Sequence, residues 1–132
     1  PQSCVRHMVD TFASRRDAAI SALKAIGWTV PKPKATMYIW AQLPPDLPQA
    51  WATDSIGFCQ ALVAATGVAL APGRGFGNSG EGYVRFALVQ SPETLQTAIQ
   101  KIGQFVADNH SRAASDSDTA AQRDVEGALK PV

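Results

Sequence analysis

Charge of one sign is nearly absent as an excess. Twelve Lys and Arg against eleven Asp and Glu leave a formal net charge of +1. That argues against a broad electrostatic nucleic-acid binder and leaves room only for a small patch. Cysteine is scarce too. Cys4 and Cys59 form neither a CxxC nor a zinc-ligand spacing, so no metal site is expected. Both are expected as buried or half-buried thiols of a reducing, cytoplasmic compartment. No apolar run approaches membrane-spanning length and no signal-peptide pattern is visible, so no membrane partner is expected. No segment repeats another. What remains is a chain of 132 residues, 45% hydrophobic and 17% charged, which fits one globular domain with an ordinary core.

Glycine is concentrated in one stretch. Gly67, Gly73, Gly75, Gly77, Gly80 and Gly82 all fall between Thr66 and Val89. The stretch opens as a short apolar run, Val68–Ala71, passes through a glycine-rich loop, Pro72–Gly82, and ends as the apolar run Tyr83–Val89 with Arg85 inside it. Strand, loop, strand with a cation on the second strand is a layout that can hold an anion, because glycine lets another group approach the main chain closely.

The flanking segments read as helices and strands. Val5, Met8, Val9 and Phe12, then Ala19, Ile20, Leu23 and Ile26, recur at helical spacing up to a stop at Gly27. The pattern is already under way at Pro1, as expected of a piece of a longer protein. Trp28-Thr29-Val30 is a short β-prone run ended by Pro31 and Pro33. Thr36–Leu43 is nearly continuous in apolar residues, which predicts a strand that is covered on both faces or lies mid-sheet. Pro44, Pro45 and Pro48 then predict a stiff surface loop. Asp54 or Ser55 can cap a helix over Ser55–Thr66. Ser91-Pro92-Glu93 starts another, whose apolar face is Leu95, Ala98, Ile99, Ile102 and Phe105. The fold class expected is α/β, a two-layer sandwich in the order α-β-β-α-β-β-α with helices covering a small sheet. From Asp108 onward Ala, Ser, Asp and Thr dominate, so residues 108–132 are expected to be a mobile polar tail in which Thr119–Leu129 forms at most a fragile helix.

Four constellations bear on chemistry. Gly75-Phe76-Gly77-Asn78-Ser79-Gly80 spells G-x-G-x-x-G, but a strand rather than a helix follows it, and the chain contains no kinase element. Arg74-Gly75-Phe76-Gly77 matches half of an RNA-binding signature, in which bases would stack on Tyr38 and Phe76; Asn78 and Ser79 then depart from it. Core packing is the favoured reading of Tyr38, Trp40 and Phe76. Arg15-Arg16-Asp17 reads as a solvated helix face. Arg85 admits two readings. Alternation sets Tyr83, Arg85, Ala87 and Val89 against Val84, Phe86 and Leu88. Arg85 is then either a strand arginine reaching solvent, which pattern alone favours, or a guanidinium fork facing the glycine loop and suited to a carboxylate.

Several motifs in order resolve that choice: Arg15-Arg16-Asp17, Gly27-Trp28, Pro33–Trp40, Thr66-Gly67-Val68, Pro72-Gly73, Gly75-Phe76-Gly77 and Gly80–Leu88. Over about Arg6 to Phe105 the chain resembles the C-terminal small domain of class I/II pyridoxal-phosphate-dependent aminotransferases, in the branch of the LL-diaminopimelate, alanine and aspartate enzymes. The resemblance implies the small-domain fold of fold-type I aminotransferases for residues 1–107. It implies transfer of an amino group between an amino acid and a 2-oxo acid, in amino-acid biosynthesis. It implies a substrate-binding set of Arg85, Tyr38, Gly75 and Phe76, with Arg85 gripping the α-carboxylate. Pyridoxal 5'-phosphate would be bound by a large domain of the same enzyme, itself a homodimer. No lysine here stands in the family's Ser-Lys-(Ser/Thr) context, so neither a catalytic nor a cofactor-binding residue is expected in this chain. The alternative is a stand-alone α/β module, RNA-recognition-like or small-acid-binding, that uses the Gly73–Gly82 loop.

Overall fold

The computed structural model describes residues 2–128, with side chains as far as His110. Helix α1, Ser3–Ala25, ends in a paired hydrogen-bond closure: the Gly27 amide donates to the Lys24 carbonyl and the Trp28 amide to the Leu23 carbonyl. Strand β1, Tyr38–Gln42, follows, then the single-turn helix α2, Gln49–Ala52, and helix α3, Ser55–Thr66. Strand β2 is only Ala71–Pro72. Two 3₁₀ turns, Gly73–Phe76 and Asn78–Gly80, lead into strand β3, Tyr83–Ala87, and helix α4, Pro92–Ala128, completes the described chain.

The caps are those that local chemistry dictates. The Asp54 carboxylate accepts from the Gly57 amide at 2.8 Å, and Gly67 closes α3 at φ 74°, a conformation that costs glycine little. The Ser91 hydroxyl accepts from the Thr94 amide at 3.2 Å, with Pro92 in the first turn.

The three strands are antiparallel in the order β1-β3-β2, with Tyr38 opposite Ala87, Trp40 opposite Arg85, and Ala71 on the other side of Arg85. One face of the sheet carries Ile39, Ala41, Val84, Phe86 and Leu88. These bury against Leu23 of α1, Phe58 and Leu62 of α3, and Ile99 and Ile102 of α4. At the crossing of α1 and α4, Gly103 lies against Ile26, too close to leave room for a methyl group.

The α/β class and the helix-covered small sheet hold, and several details differ. Trp28–Val30 forms no strand, so the described order is α-β-α-α-β-β-α. Trp28 is instead drawn into the core. It packs edge-on to Phe86 at 5.5 Å and donates from Nε1 to the Gln42 carbonyl at 2.8 Å, while the prolines after Val30 cannot donate to a ladder. β1 is an edge strand rather than a mid-sheet one and is covered on one face only, since Trp40 is 41% exposed and Gln42 is exposed. The proline-rich loop holds α2, which sets Trp51 against Phe105 (5.4 Å, stacked) and Phe58 (5.8 Å, edge-on). Cys4 is exposed, whereas Cys59 is buried on α3 and burial pushes its thiol up to about 11. The change of composition at Asp108 falls inside α4, whose backbone is helical through Ala128; Leu129, Lys130, Pro131 and Val132 lie outside the described residues.

Arg15-Arg16-Asp17 does more than face solvent. Arg15 donates to the Leu88 carbonyl at 3.2 Å, joining α1 to the chain just beyond β3. Asp17 takes a hydrogen bond from Arg16 and an ion pair from Lys32, both at 2.8 Å, which together hold its carboxyl down at about 2. Val5, Met8 and Val9, at 49%, 53% and 59% exposure, leave the first turns of α1 without a packed face. Amide exchange over Val5–Phe12 is therefore expected to be much faster than over Phe86–Leu88. Equal protection in the two segments would show that the start of α1 is held by something other than core packing.

Candidate functional site on the open face of the sheet

Alternation along two neighbouring strands builds the site. Tyr38, Trp40 and Gln42 of β1, with Tyr83, Arg85 and Ala87 of β3, point away from the helices. Arg85 rises from the central strand between Trp40 and Ala71. Its Cζ lies 4.1 Å from the centroid of Tyr38 and 4.6 Å from that of Phe76, which the first 3₁₀ turn brings over the sheet. A second tier supports this. Trp40 stacks on Tyr83 (5.6 Å, 12°) and meets Phe76 edge-on (5.6 Å, 81°).

The electrostatics are unusual in one respect. Nε of Arg85 is buried and has no hydrogen-bond partner, and among the described residues no carboxylate pairs with its guanidinium. A buried donor normally finds an acceptor. Here one cation is positioned on a rigid strand, flanked by two rings and left unneutralised. Such a fork suits the two oxygens of a carboxylate.

The loop beside it is fixed at its base. Gly73 and Gly80 touch backbone to backbone, so that a Cβ on either would overlap the other's carbonyl oxygen. The Ser55 hydroxyl accepts from the Arg74 amide at 3.1 Å. Oε1 of Glu81 accepts from the Ser55 amide at 2.6 Å and the Gly82 amide at 3.0 Å. These bonds, that from Ser55 first, hold the Glu81 carboxyl below its usual range. Because the folded value is the lower one, the contribution of this clamp is complete above the ordinary glutamate range and is lost as pH falls through the depressed value. Exchange at the Ser55 and Gly82 amides, corrected for intrinsic rate, should rise across that acid window in the native chain and be already raised at neutral pH in Glu81→Ala. A flat profile in the native chain would rule out the carboxylate as the clamp.

Of the four residues singled out from sequence, Arg85, Tyr38 and Phe76 come together. Gly75 precedes Phe76 in the turn, and a Cβ there would meet open space, so sterics give no reason for glycine. Tyr38, Trp40 and Phe76 are walls of the open face rather than core residues; Phe76 is 54% exposed. Arg74–Gly77 lies in a turn, not the strand an RNA-binding signature requires. Trp40, Tyr83, Ser55 and Glu81 were missed as contributors. Period-two alternation from Arg85 and Tyr38 signals the first two, whereas nothing in the sequence pairs Ser55 with Glu81.

The chain has relatives among known proteins. The family model for aminotransferase class I and II matches residues 1–102. The chain belongs to the class I and II aminotransferase family. It is 41% identical over 98 residues to LL-diaminopimelate aminotransferase of Natranaerobius thermophilus, covering 74% of this chain and 24% of that protein. It is 39% identical over 115 residues to glutamate-pyruvate aminotransferase AlaC of Escherichia coli, covering 86% and 27%. Among solved structures, a probable N-succinyldiaminopimelate aminotransferase from Thermus thermophilus superimposes with a TM-score of 0.68 at 39% identity, covering 79% of this chain and 26% of that one. Apo-BacF from Bacillus subtilis does so with a TM-score of 0.71 at 27% identity, covering 80% and 26%. The chain thus spans about a quarter of the length of the relatives it matches. Among the described residues, no helix is long and apolar enough to cross a membrane.

Proposed function

We propose that this chain is the C-terminal, substrate-binding small domain of a pyridoxal-phosphate-dependent aminotransferase, in which Arg85 grips the α-carboxylate of the amino acid and of the 2-oxo acid. The observation that carries this reading is the unneutralised guanidinium of Arg85, flanked by Tyr38 and Phe76, with its buried Nε lacking an acceptor. With rings against it, the fork meets a carboxylate along its edge, through two parallel N–H donors. A substrate held at both oxygens has its Cα–H bond fixed in direction, which is the contribution of orientation to rate. The names of the relatives, LL-diaminopimelate aminotransferase and glutamate-pyruvate aminotransferase, favour substrates such as diaminopimelate, glutamate or pyruvate; in this reading the enzyme serves amino-acid biosynthesis in the cytoplasm.

The residues present do not fit the cofactor itself. A Schiff base needs an amine, and among the described residues the open face supplies none. Lys32 pairs with Asp17, Lys34 lines a groove of about 350 Å³ against α1, Lys101 lines a cavity beside α4, and Lys24 stands in the last turn of α1. Pyridoxal phosphate therefore belongs, in this reading, to a large domain of the same homodimeric enzyme. That domain would cover the exposed Val5, Met8 and Val9 and the groove they adjoin. Mixing the purified chain with pyridoxal phosphate and reducing with borohydride should yield no stoichiometric adduct at a single lysine and no amino-group transfer. A specific, active adduct would overturn the assignment to a small domain.

A further inference from the structure

The tip of the glycine loop is held differently from its base. At the base, Gly73 and Gly80 are in backbone contact and Glu81 and Ser55 tie the chain to α3. At the tip, a Cβ on Gly75 or Gly77 would meet nothing within 4 Å, and the backbone hydrogen bonds there stay within the loop, from the Gly77 amide to the Arg74 carbonyl and from the Gly80 amide to the Gly77 carbonyl. The ring of Phe76 nevertheless lies 4.6 Å from Arg85 Cζ. Among the described residues the ring it pairs with is Trp40, met edge-on at 5.6 Å. Trp40 is in turn held by its register opposite Arg85 and by stacking on Tyr83, one strand across.

We infer that Trp40 is a positioning residue for Arg85: it holds Phe76 against the guanidinium and so fixes the plane in which the fork meets a carboxylate. This rests on the reading of Arg85 as the carboxylate grip. Tyr38 is carried by β1 and stays in place without Trp40. Phe76 is not, and once it swings away the guanidinium keeps one wall and gains the freedom to rotate about its last side-chain bonds. The cation remains, so loss of Trp40 weakens the grip without abolishing it.

The test uses this chain and sodium propionate as the carboxylate probe, followed through the Arg85 Nε–H signal in proton–nitrogen spectra. Arg85→Lys assigns the signal by removing it. In the native chain the proton should be displaced upfield of free arginine by the rings, and propionate should shift it. In Trp40→Ala the ring displacement should shrink, and the half-saturating propionate concentration should rise by about threefold, the size of one exposed cation–π contact. Trp40→Phe, which keeps a ring, should restore both. If the ring displacement is unchanged in Trp40→Ala, Trp40 does not position Arg85, whatever propionate does. If the displacement shrinks but propionate affinity is the same, the effect on the grip is refuted. If propionate leaves the native signal unmoved, the carboxylate reading of Arg85 fails, and the inference for the grip falls with it. A merely structural tryptophan would shift the melting temperature and leave the Arg85 signal where it was.

Discussion

Arg85→Lys in the complete aminotransferase should weaken α-amino acid and 2-oxo acid substrates alike, by roughly 2–5 kcal/mol where the closed site is partly desolvated. Lysine keeps the charge but offers a point donor in place of a planar fork, and the rings against it no longer face a flat partner. Part of the loss should fall on kcat, because a carboxylate held at one oxygen no longer fixes the Cα–H direction. The factor should be similar for every substrate side chain, since the α-carboxylate is common to all. Cofactor occupancy, read from the absorbance of the bound aldehyde, should stay near that of the native enzyme. Steady-state kinetics on three or more amino acids decides it. Catalytic efficiency within about threefold of native, well under 1 kcal/mol, would make Arg85 an ordinary strand arginine.

Gly73→Ala should produce the second large effect. A methyl group there would overlap the Gly80 carbonyl oxygen, which is backbone and cannot step aside as a side-chain end can. Forcing apart two touching backbones costs about 1–3 kcal/mol or more by analogy with overpacked interiors. The loop must open at its base, so the Arg74 amide should lose Ser55 and the Glu81 clamp should weaken. Denaturant unfolding should show the lost stability, and amide exchange should place the damage at Ser55, Arg74 and Gly82. Gly75→Ala is the matched control. A Cβ at Gly75 meets open space, so its cost should be a small fraction of that at Gly73. Equal stability of the two variants would mean that the contact between Gly73 and Gly80 does not hold the loop.

The difference between these two glycines could not be read from the sequence. Both sit in the same run and look alike there. Only the return of the chain at Gly80 makes one indispensable and leaves the other without a steric role. The same limit applies to Ser55 and Glu81, 26 positions apart, one reading as a helix start and the other as a loop acid. Trp28–Val30 failed for a related reason. Its β-prone composition was real, but the indole went to the core against Phe86, and the prolines after it left no ladder to join.

The sequence by itself determined what depends on period and on local chemistry. It set the capped helix over Ser55–Thr66, the start at Ser91-Pro92, and the division of Tyr83–Leu88 into a face with Arg85 and a face with Val84, Phe86 and Leu88. Alternation is a property of the extended backbone, and capping of a few neighbouring amides, so neither needs the rest of the chain. Ordered motifs also carried the family. The tertiary structure alone decided which sheet face was covered, because that depends on where the helices pack, and Thr36–Leu43 is too uniformly apolar to record it. With helices on one side only, Tyr38, Trp40 and Phe76 pass from expected core to the walls around Arg85. Among the described residues the guanidinium then meets rings and no carboxylate, because that neighbourhood is assembled by two strands and a loop tip from three separate parts of the chain.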